Sequence, residues 1–508
     1  MSDPIQDPAS RETEGSQGPS ARARQQSGTR QLLLARAWFI ITGYGVTIIL
    51  ARGLGPTEYG IYGVLMSVLL WLEMVSSAGV QAAVGRLIPF SPGRERLIEG
   101  TARFLLLMIS LGLFASCWFA APIVSGLLGI PNGTTLFRIA VVDIPFMALY
   151  TAERGILTGH RRFGVLAASQ AIYGMAKLVG VTILLLLGLS VSTVLIVNVL
   201  ATWAPLIYLR LRKSSLGLRA GASVARQLVS LAIPMGAYLI ALQVVANVPL
   251  WGLQGLWRGE AAVVGHFLAS LQIARMLTVI PVVQSGVVFA SVGWALAHGD
   301  CDAARDHLLE GSRFALIIIA PACVILGVDA APLLSLLFSE QYVDGAPFLL
   351  LQLVGFAAYA LADTYSHALM ATGQHAIVAR IFLALVPASI LATFVLLRAA
   401  GPVGAAASLA LIMIVGATWV GAVTLRRFGA LIPAGTVARV TLAIVPIAVA
   451  GLALEVTGAW LLLKMLVLGG LYLLLLWLLG EISPSDFQIS RIGPNPDASS
   501  GTEGDPAP

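Results

Sequence analysis

About fourteen separate apolar stretches, each long enough to cross a lipid bilayer as a helix, run through this sequence and leave little room for any other fold. A bilayer core of about 30 Å takes roughly twenty helical residues. The stretches fall near 32–52, 60–84, 102–128, 136–158, 164–187, 192–210, 229–253, 262–293, 312–337, 346–370, 377–398, 403–425, 437–457 and 459–479. Backbone polar groups in lipid must be satisfied inside the protein, and segments of this length do so as helices. The expected fold class is all-α, a polytopic membrane protein of about 14 transmembrane helices. Composition supports this where it counts. Charged residues make up 11% of the chain and hydrophobic ones 58%, against roughly 25% charge in soluble domains, which excludes the soluble enzyme classes.

Lys and Arg resist translocation, so their distribution over short loops orients the bundle. Arg52, Arg138, Arg258 and Arg398 fall on one side, while Lys177, Arg275 and Lys464 lie inside spans. The remaining basic residues, Arg86, Arg94, Arg96 and Arg103 among them, fall on the other side, which is therefore cytoplasmic. Both termini are predicted there, in a bacterial inner membrane. The net charge of +6 is mostly this topological bias, and basic grooves flanked by aromatic residues are absent, so no nucleic-acid partner is expected. Polar segments at 1–30 and 481–508 predict disordered cytoplasmic tails, with no signal peptide. Cys117, Cys301 and Cys323 show no paired spacing and no neighbouring histidine cluster, so neither a disulfide framework nor a metal site is indicated. No cofactor is expected.

The chain also repeats. Leu157-Thr158-Gly159-His160, ending span four, returns as Met370-Ala371-Thr372-Gly373-Gln374 ending span ten. Leu209-Arg210 returns as Leu425-Arg426, and Gly60-Ile61-Tyr62 is echoed by Gly265-His266-Phe267. The periods divide the chain into an N-lobe of six spans at 31–213, a C-lobe of six at 214–427, and two appended spans at 428–480. Repeated halves around a central site are a transporter plan.

Three motifs carry a resemblance. Ala51-Arg52-Gly53-Leu54-Gly55-Pro56-Thr57-Glu58-Tyr59-Gly60-Ile61-Tyr62 resembles the first-loop signature of the polysaccharide-transporter family of oligosaccharide flippases, in the multidrug/oligosaccharidyl-lipid/polysaccharide exporter superfamily. Leu337-Phe338-Ser339-Glu340-Gln341-Tyr342 with Ala346-Pro347 resembles that family's link between helices nine and ten, and Gly401-Pro402-Val403-Gly404-Ala405-Ala406 resembles its start of helix twelve. The likeness runs over roughly 31–480. It implies two six-helix lobes around a cavity that opens alternately to each side, and flipping of undecaprenyl-diphosphate-linked oligosaccharide. Ala274-Arg275-Met276-Leu277, with Pro281 beyond, resembles the helix-eight arginine site of lipid II flippases, relatives of this family. The chain departs at Asn247-Val248-Pro249, where many members carry an aspartate near the end of helix seven. In the first motif, Gly53, Gly55 and Gly60 with Pro56 predict a tight turn that packs helices one and two closely.

Ionisable groups at membrane depth cost at least about 2.5–3.5 kcal/mol, so each needs a partner, a wet cavity or a function. Arg275 lies about 15 Å below the outer surface, and its guanidinium fork suits phosphate oxygens. It is the leading candidate for binding the diphosphate, set against a purely structural pairing. Glu73, in the repeat counterpart of that span, is expected to neutralise Arg275 in the empty state and to yield to the diphosphate or to a proton. Arg52 and Arg154 complete the predicted substrate-binding set. Asp143 and Lys177 fall at equal depth on antiparallel spans, as a structural ion pair would. Asp363 and His367, four residues apart, share a helix face as a possible ion-coupling pair, with interhelical hydrogen-bond glue as the plainer alternative.

The sequence therefore predicts a flippase and no enzyme, with lipid-linked oligosaccharide and membrane lipids as partners and a polysaccharide polymerase or glycosyltransferases as candidate neighbours. The rivals are a cation-coupled multidrug antiporter, disfavoured because span one holds no carboxylate, a glycan polymerase or ligase, disfavoured because no large outer loop exists, and a non-transporting scaffold of a polysaccharide synthase.

Overall fold

The structure is a computed structural model and describes residues 19–77, 79–212, 217–218, 221–257 and 259–482. Residues 1–18 and 483–508 of the expected tails, with Lys213, Arg219 and Arg258, lie outside the described residues.

Sixteen α-helices account for the described chain: α1 (Pro19–Ser77), α2 (Val80–Leu87), α3 (Glu95–Leu128), α4 (Gly133–Val141), α5 (Asp143–Gly159), α6 (Phe163–Leu187), α7 (Val191–Leu211), α8 (Ala222–Leu256), α9 (Ala262–Met276), α10 (Val279–Ala297), α11 (Cys301–Val328), α12 (Ala330–Leu337), α13 (Ala346–Ala371), α14 (His375–Phe428), α15 (Ala434–Ala453) and α16 (Trp460–Leu478). A short 3₁₀ turn, Glu340–Gly345, leads into α13. Among the described residues 12 helical segments are long and apolar enough to cross a membrane. Two of these are too long to be single crossings. At 1.5 Å per residue α14, with 54 residues, would run about 81 Å.

Both long helices break at a glycine followed by proline. Gly55 has φ 72° and ψ 171°, and Gly401 has φ 60° and ψ −146°. Only glycine takes such angles without strain, and the following Pro56 and Pro402 are pre-set to begin the next helix. At Gly401 the chain folds back sharply enough that the Thr393 and Ser408 hydroxyls lie 3.0 Å apart, although 15 residues of straight helix would separate them by about 22 Å. Gly404 consequently lies against the Leu396 carbonyl, where a side chain would not fit. Dividing the two long segments at these breaks gives fourteen crossings, as the apolar stretches predict.

The crossings form two lobes with two further helices. In the first lobe α1 packs on α6 and α7 on α6, with α3 on α5; in the second α8, α13 and α14 form the densest contact and α10 and α11 flank α13. α15 and α16 lie on α11 through Ile317, Val440, Ala443, Ile447, Leu468, Tyr472 and Leu476. Polar anchors fix both ends of that layer. Lys464 spends its three protons on Asp329 Oδ1 (2.6 Å), Gly451 O (2.8 Å) and Leu454 O (2.6 Å). At the other end Glu481 accepts from Arg313 Nε (2.7 Å), Arg439 Nη1 (2.8 Å) and Thr436 Oγ1 (2.7 Å). Many Leu, Ile and Val side chains, such as Leu186, Leu466 and Ile123, point outward, the pattern of a surface wetted by lipid tails.

Candidate functional site between the lobes

The lobes meet at one end of the bundle through backbone-close contacts. Gly60 of α1 faces Gly265 of α9: a Cβ on Gly60 would sit 2.8 Å from the Gly265 nitrogen, and one on Gly265 would overlap the Pro56 carbonyl. The two glycines echoed in the sequence repeat are thus the two that touch, so Gly60 packs across the lobes rather than within the helix one and two hairpin, as its motif suggested. Arg52 lies at the same end. Its Nε donates to Leu337 O (3.0 Å) and Nη2 to Leu336 O (2.6 Å), which caps the carbonyl end of α12. Tyr342 returns the tie, donating to Ala51 O at 2.7 Å. Arg52 therefore holds this end shut and does not face the interior. Deeper in, Trp71 and Trp251 meet edge to face at 5.9 Å, and Trp251 Nε1 donates to Ser67 Oγ at 2.8 Å. At the opposite end the first turns of α8 bury Val224, Leu228 and Ala232 against Val84, Ala102 and Leu106.

Arg275 sits where a membrane crossing breaks. α9 ends at Met276 and α10 begins at Val279. Pro281 explains the position, since it offers no N–H to the Leu277 carbonyl and its ring crowds that residue. The guanidinium lies at the carbonyl end of α9, where the helix dipole favours positive charge. Arg275 Nη2 donates to Asn247 Oδ1 of α8 at 2.8 Å. Tyr44 and Tyr59 of α1 and Tyr359 of α13 lie within electrostatic reach. These neighbours come from both lobes while Arg275, Tyr44 and Tyr359 stay only partly buried, so the group faces an internal space between the lobes. Among the described residues no carboxylate forms an ion pair with Arg275.

The predicted Glu73–Arg275 encounter is not what the structure contains. Glu73 turns into the first lobe, where its charged neighbours are Asp143 of α5 and Lys177 of α6. Tyr173 of α6 and Tyr62 of α1 complete this cluster. Lys177 supplies the positive charge that the sequence argument sought from Arg275. Asp143 and Lys177 do share it, as their equal depth requires, but they interact through space without a direct ion pair. Asp143 Oδ2 instead accepts from Asn198 Nδ2 of α7 at 2.8 Å, with Thr202 beside it. An asparagine mid-way through an otherwise apolar span was a visible signal for that residue.

Asp363 and His367 do share a face of α13. Asp363 Oδ1 accepts from Tyr238 of α8 at 3.2 Å, His367 Nδ1 reaches Asp363 O at 2.8 Å, and its separation from Asp363 Oδ2 is 3.5 Å. Arg154 lies over the Tyr150 ring at 5.9 Å, beside the buried pair Glu153–Arg103, whose Nε–Oε1 distance is 2.6 Å. Arg103, read from sequence as a loop cation, is only 1% exposed and ties α3 to α5. Its signal was weak because it stands at the very start of the apolar stretch 102–128, one residue in. Among the described residues no group of three His, Cys, Asp or Glu side chains lies close enough to hold a metal ion.

Comparison with known proteins fits this architecture. A family model described as polysaccharide biosynthesis protein matches residues 31–292. No curated protein matches the sequence. The fold is similar to that of a solved lipid II flippase, MurJ, in an inward closed conformation, with TM-score 0.72 and 15% identity over 87% of this chain and 97% of that one. It is also similar to a multidrug resistance MATE family transporter of the MOP superfamily in an inward-facing conformation, with TM-score 0.63 and 15% identity over 77% of this chain and 94% of that one. A MOP superfamily transporter from Pyrococcus furiosus matches with TM-score 0.55 and 14% identity over 80% and 96%.

Proposed function

This chain belongs to the polysaccharide biosynthesis protein family, within the superfamily of oligosaccharide flippases and multidrug exporters, and from that premise we propose that it flips undecaprenyl-diphosphate-linked oligosaccharide across the bacterial inner membrane. It is a multi-pass membrane protein with a transporter fold. What supports the substrate reading is Arg275, a guanidinium where α9 breaks from α10, oriented by an uncharged amide and facing the space between two lobes. A diphosphate must shed water and find compensating charge there, and a forked, fixed donor set supplies it. The work is binding and alternating exposure, with no covalent step. Both termini lie in the cytoplasm on this reading, so the shut end faces outward. Arg154 greets the headgroup at the cytoplasmic mouth, while Asp363 and His367 tie α13 to α8. Glycosyltransferases that build the lipid-linked unit and a polymerase that consumes it act before and after the flip.

The test is gene deletion with complementation. Loss of surface polysaccharide and build-up of its lipid-linked precursor on the inner leaflet, rescued by wild type and not by equally expressed Arg275→Ala, is the expected result. Normal polymer with altered drug sensitivity would overturn it in favour of a multidrug antiporter.

A further inference from the structure

The seam between α5 and α7 is closed over its first half and open over its second. The two helices run in the same direction, since Asp143 meets Asn198 at 2.8 Å and, further along both, Phe146 meets Trp203 ring to ring at 5.1 Å. Beyond that aromatic pair they part around a groove of about 250 Å³, lined by Phe146, Leu149, Trp203, Leu206, Ile207 and Arg210. All of its lining residues belong to α5 and α7, so it is separate from the space that Arg275 faces. Trp203 and Ile207 are exposed on its outer side, toward the lipid. The helical rise from Trp203 to Arg210 sets its length at about 10 Å. An apolar space of this kind forfeits packing on both walls unless hydrocarbon enters it, and water finds too few polar partners to fill it.

The open end of the groove is positive. Arg210 lines it where α7 ends, and among the described residues no carboxylate pairs with Arg210. The acids at that end are engaged elsewhere, Glu153 with Arg103 at 2.6 and 3.3 Å and Glu99 with His160 at 2.7 Å. Phe163 and Tyr208 pack on the buried Tyr150, Leu157, Leu166 and Leu209, which gathers further cations here. Arg161 and Arg162 directly precede Phe163, and Arg212 lies over the Tyr208 ring at 5.5 Å. A hydrocarbon slot that runs along two membrane-spanning helices and ends at an unmatched guanidinium is complementary to one chain and the phosphate of an anionic lipid. We propose that the groove holds one anionic glycerophospholipid, with an acyl chain between α5 and α7 and the phosphate on Arg210. The lipid fills the wedge beyond the Asp143–Asn198 bond and braces the two helices against each other. The site does not rest on the transport reading above; only its assignment to the cytoplasmic leaflet rests on the orientation read from the loops.

The experiment is native mass spectrometry of the full-length protein, delipidated in detergent and titrated with phosphatidylglycerol or with phosphatidylcholine of the same chains, with the thermal midpoint followed in parallel. Wild type is expected to retain one phosphatidylglycerol in preference to phosphatidylcholine and to gain midpoint as it binds. Arg210→Gln should weaken that retention about fivefold, the contribution of one basic residue at an anionic lipid surface. Arg426→Gln is the control: Arg426 closes the repeat-related span for the same topological and dipole reasons, and its loss should change nothing. Ile207→Trp fills the groove from an exposed position, 55% accessible in the wild type, and should abolish both the retained lipid and the gain in midpoint. Equal retention of the two lipids, or an equal loss in Arg426→Gln, would mean an unselective lipid shell and overturns the proposal, as does a lipid that Ile207→Trp still holds. Polyprenyl diphosphate that displaces phosphatidylglycerol from both wild type and Arg275→Ala also overturns it, by assigning the groove to the substrate's tail. Binding is read without transport, so a protein that retains the lipid yet flips no lipid-linked oligosaccharide sinks the proposed function and leaves the lipid site standing.

Discussion

An amide at position 247 accepts a hydrogen bond from Arg275 at 2.8 Å but carries no charge, so it orients the guanidinium without neutralising it. A carboxylate there would complete a desolvated ion pair that an incoming diphosphate would have to break. Asn247→Asp is accordingly expected to cut flipping at least about tenfold, or about 1.4 kcal/mol, at unchanged expression in the complementation assay; undiminished flipping would show that Arg275 does not bind the phosphates. The sequence alone marks Arg275, Glu73, Asp143 and Lys177, because any charge inside an apolar span is conspicuous. It does not show which of them meet. Glu73 and Arg275 lie at similar depth on repeat-related spans, yet helix rotation turns Glu73 toward Lys177. Rotation about a helix axis is settled by packing against neighbours, and a one-dimensional hydropathy pattern carries almost none of that information.

At the scale of elements, the crossings were legible from length and hydropathy, and so were the turns at Gly55-Pro56 and Gly401-Pro402, which impose a backbone conformation by chemistry of their own; the break before Pro281 was not, because 262–293 reads as one continuous apolar stretch. The anchoring of α15 and α16 was not, because Lys464 finds Asp329 135 residues away. Lys464→Met would leave Asp329 buried and unpaired, a loss of about 3–5 kcal/mol, and should lower the thermal midpoint in detergent, with Lys464→Met/Asp329→Leu recovering most of it. The other anchor predicts a pH dependence. Burial pushes the Glu481 carboxyl up, but hydrogen bonds from Thr436, Arg439 and Arg313 outweigh this and hold it below the usual carboxylate range. A carboxylate depressed in the folded state stabilises fully above its unfolded value, about 4.3 for glutamate, and that stabilisation is lost as pH falls through the lower folded value. The gap in midpoint between wild type and Glu481→Gln should therefore be largest near pH 7 and close in acid; a gap that persists unchanged below the folded value would show that the charge contributes nothing.

For the whole molecule, alternating access requires an end that seals tightly and can still part. Here the seal joins small residues and backbone groups, with Gly60 against Gly265, Arg52 on the Leu336 and Leu337 carbonyls and Tyr342 on the Ala51 carbonyl, to the packing of the buried Tyr59 ring on Phe338 and Tyr342. Such contacts are lost together when the lobes tilt; the polar groups meet water on the opened side, while the exposed rings favour closing again. A methyl group at Gly265 cannot be accommodated, because it would overlap the Pro56 carbonyl and backbone at the head of a proline-initiated helix has no rotamer with which to yield. Gly265→Ala should force this end apart and shift the population toward the form open there, and shifting a two-state equilibrium from 1:99 to 99:1 takes about 5.5 kcal/mol. Spin labels on α12 and on the Gly55 turn would report the change as a longer distance, and flipping should fall at least about tenfold because the closed form is depleted. Since Arg275 is untouched, binding of a polyprenyl-diphosphate glycolipid should remain measurable, separating a trapped transporter from a disabled site. An unchanged distance with normal flipping would mean that the glycine pair only accompanies closure, leaving Arg52 and Tyr342 as the groups that enforce it.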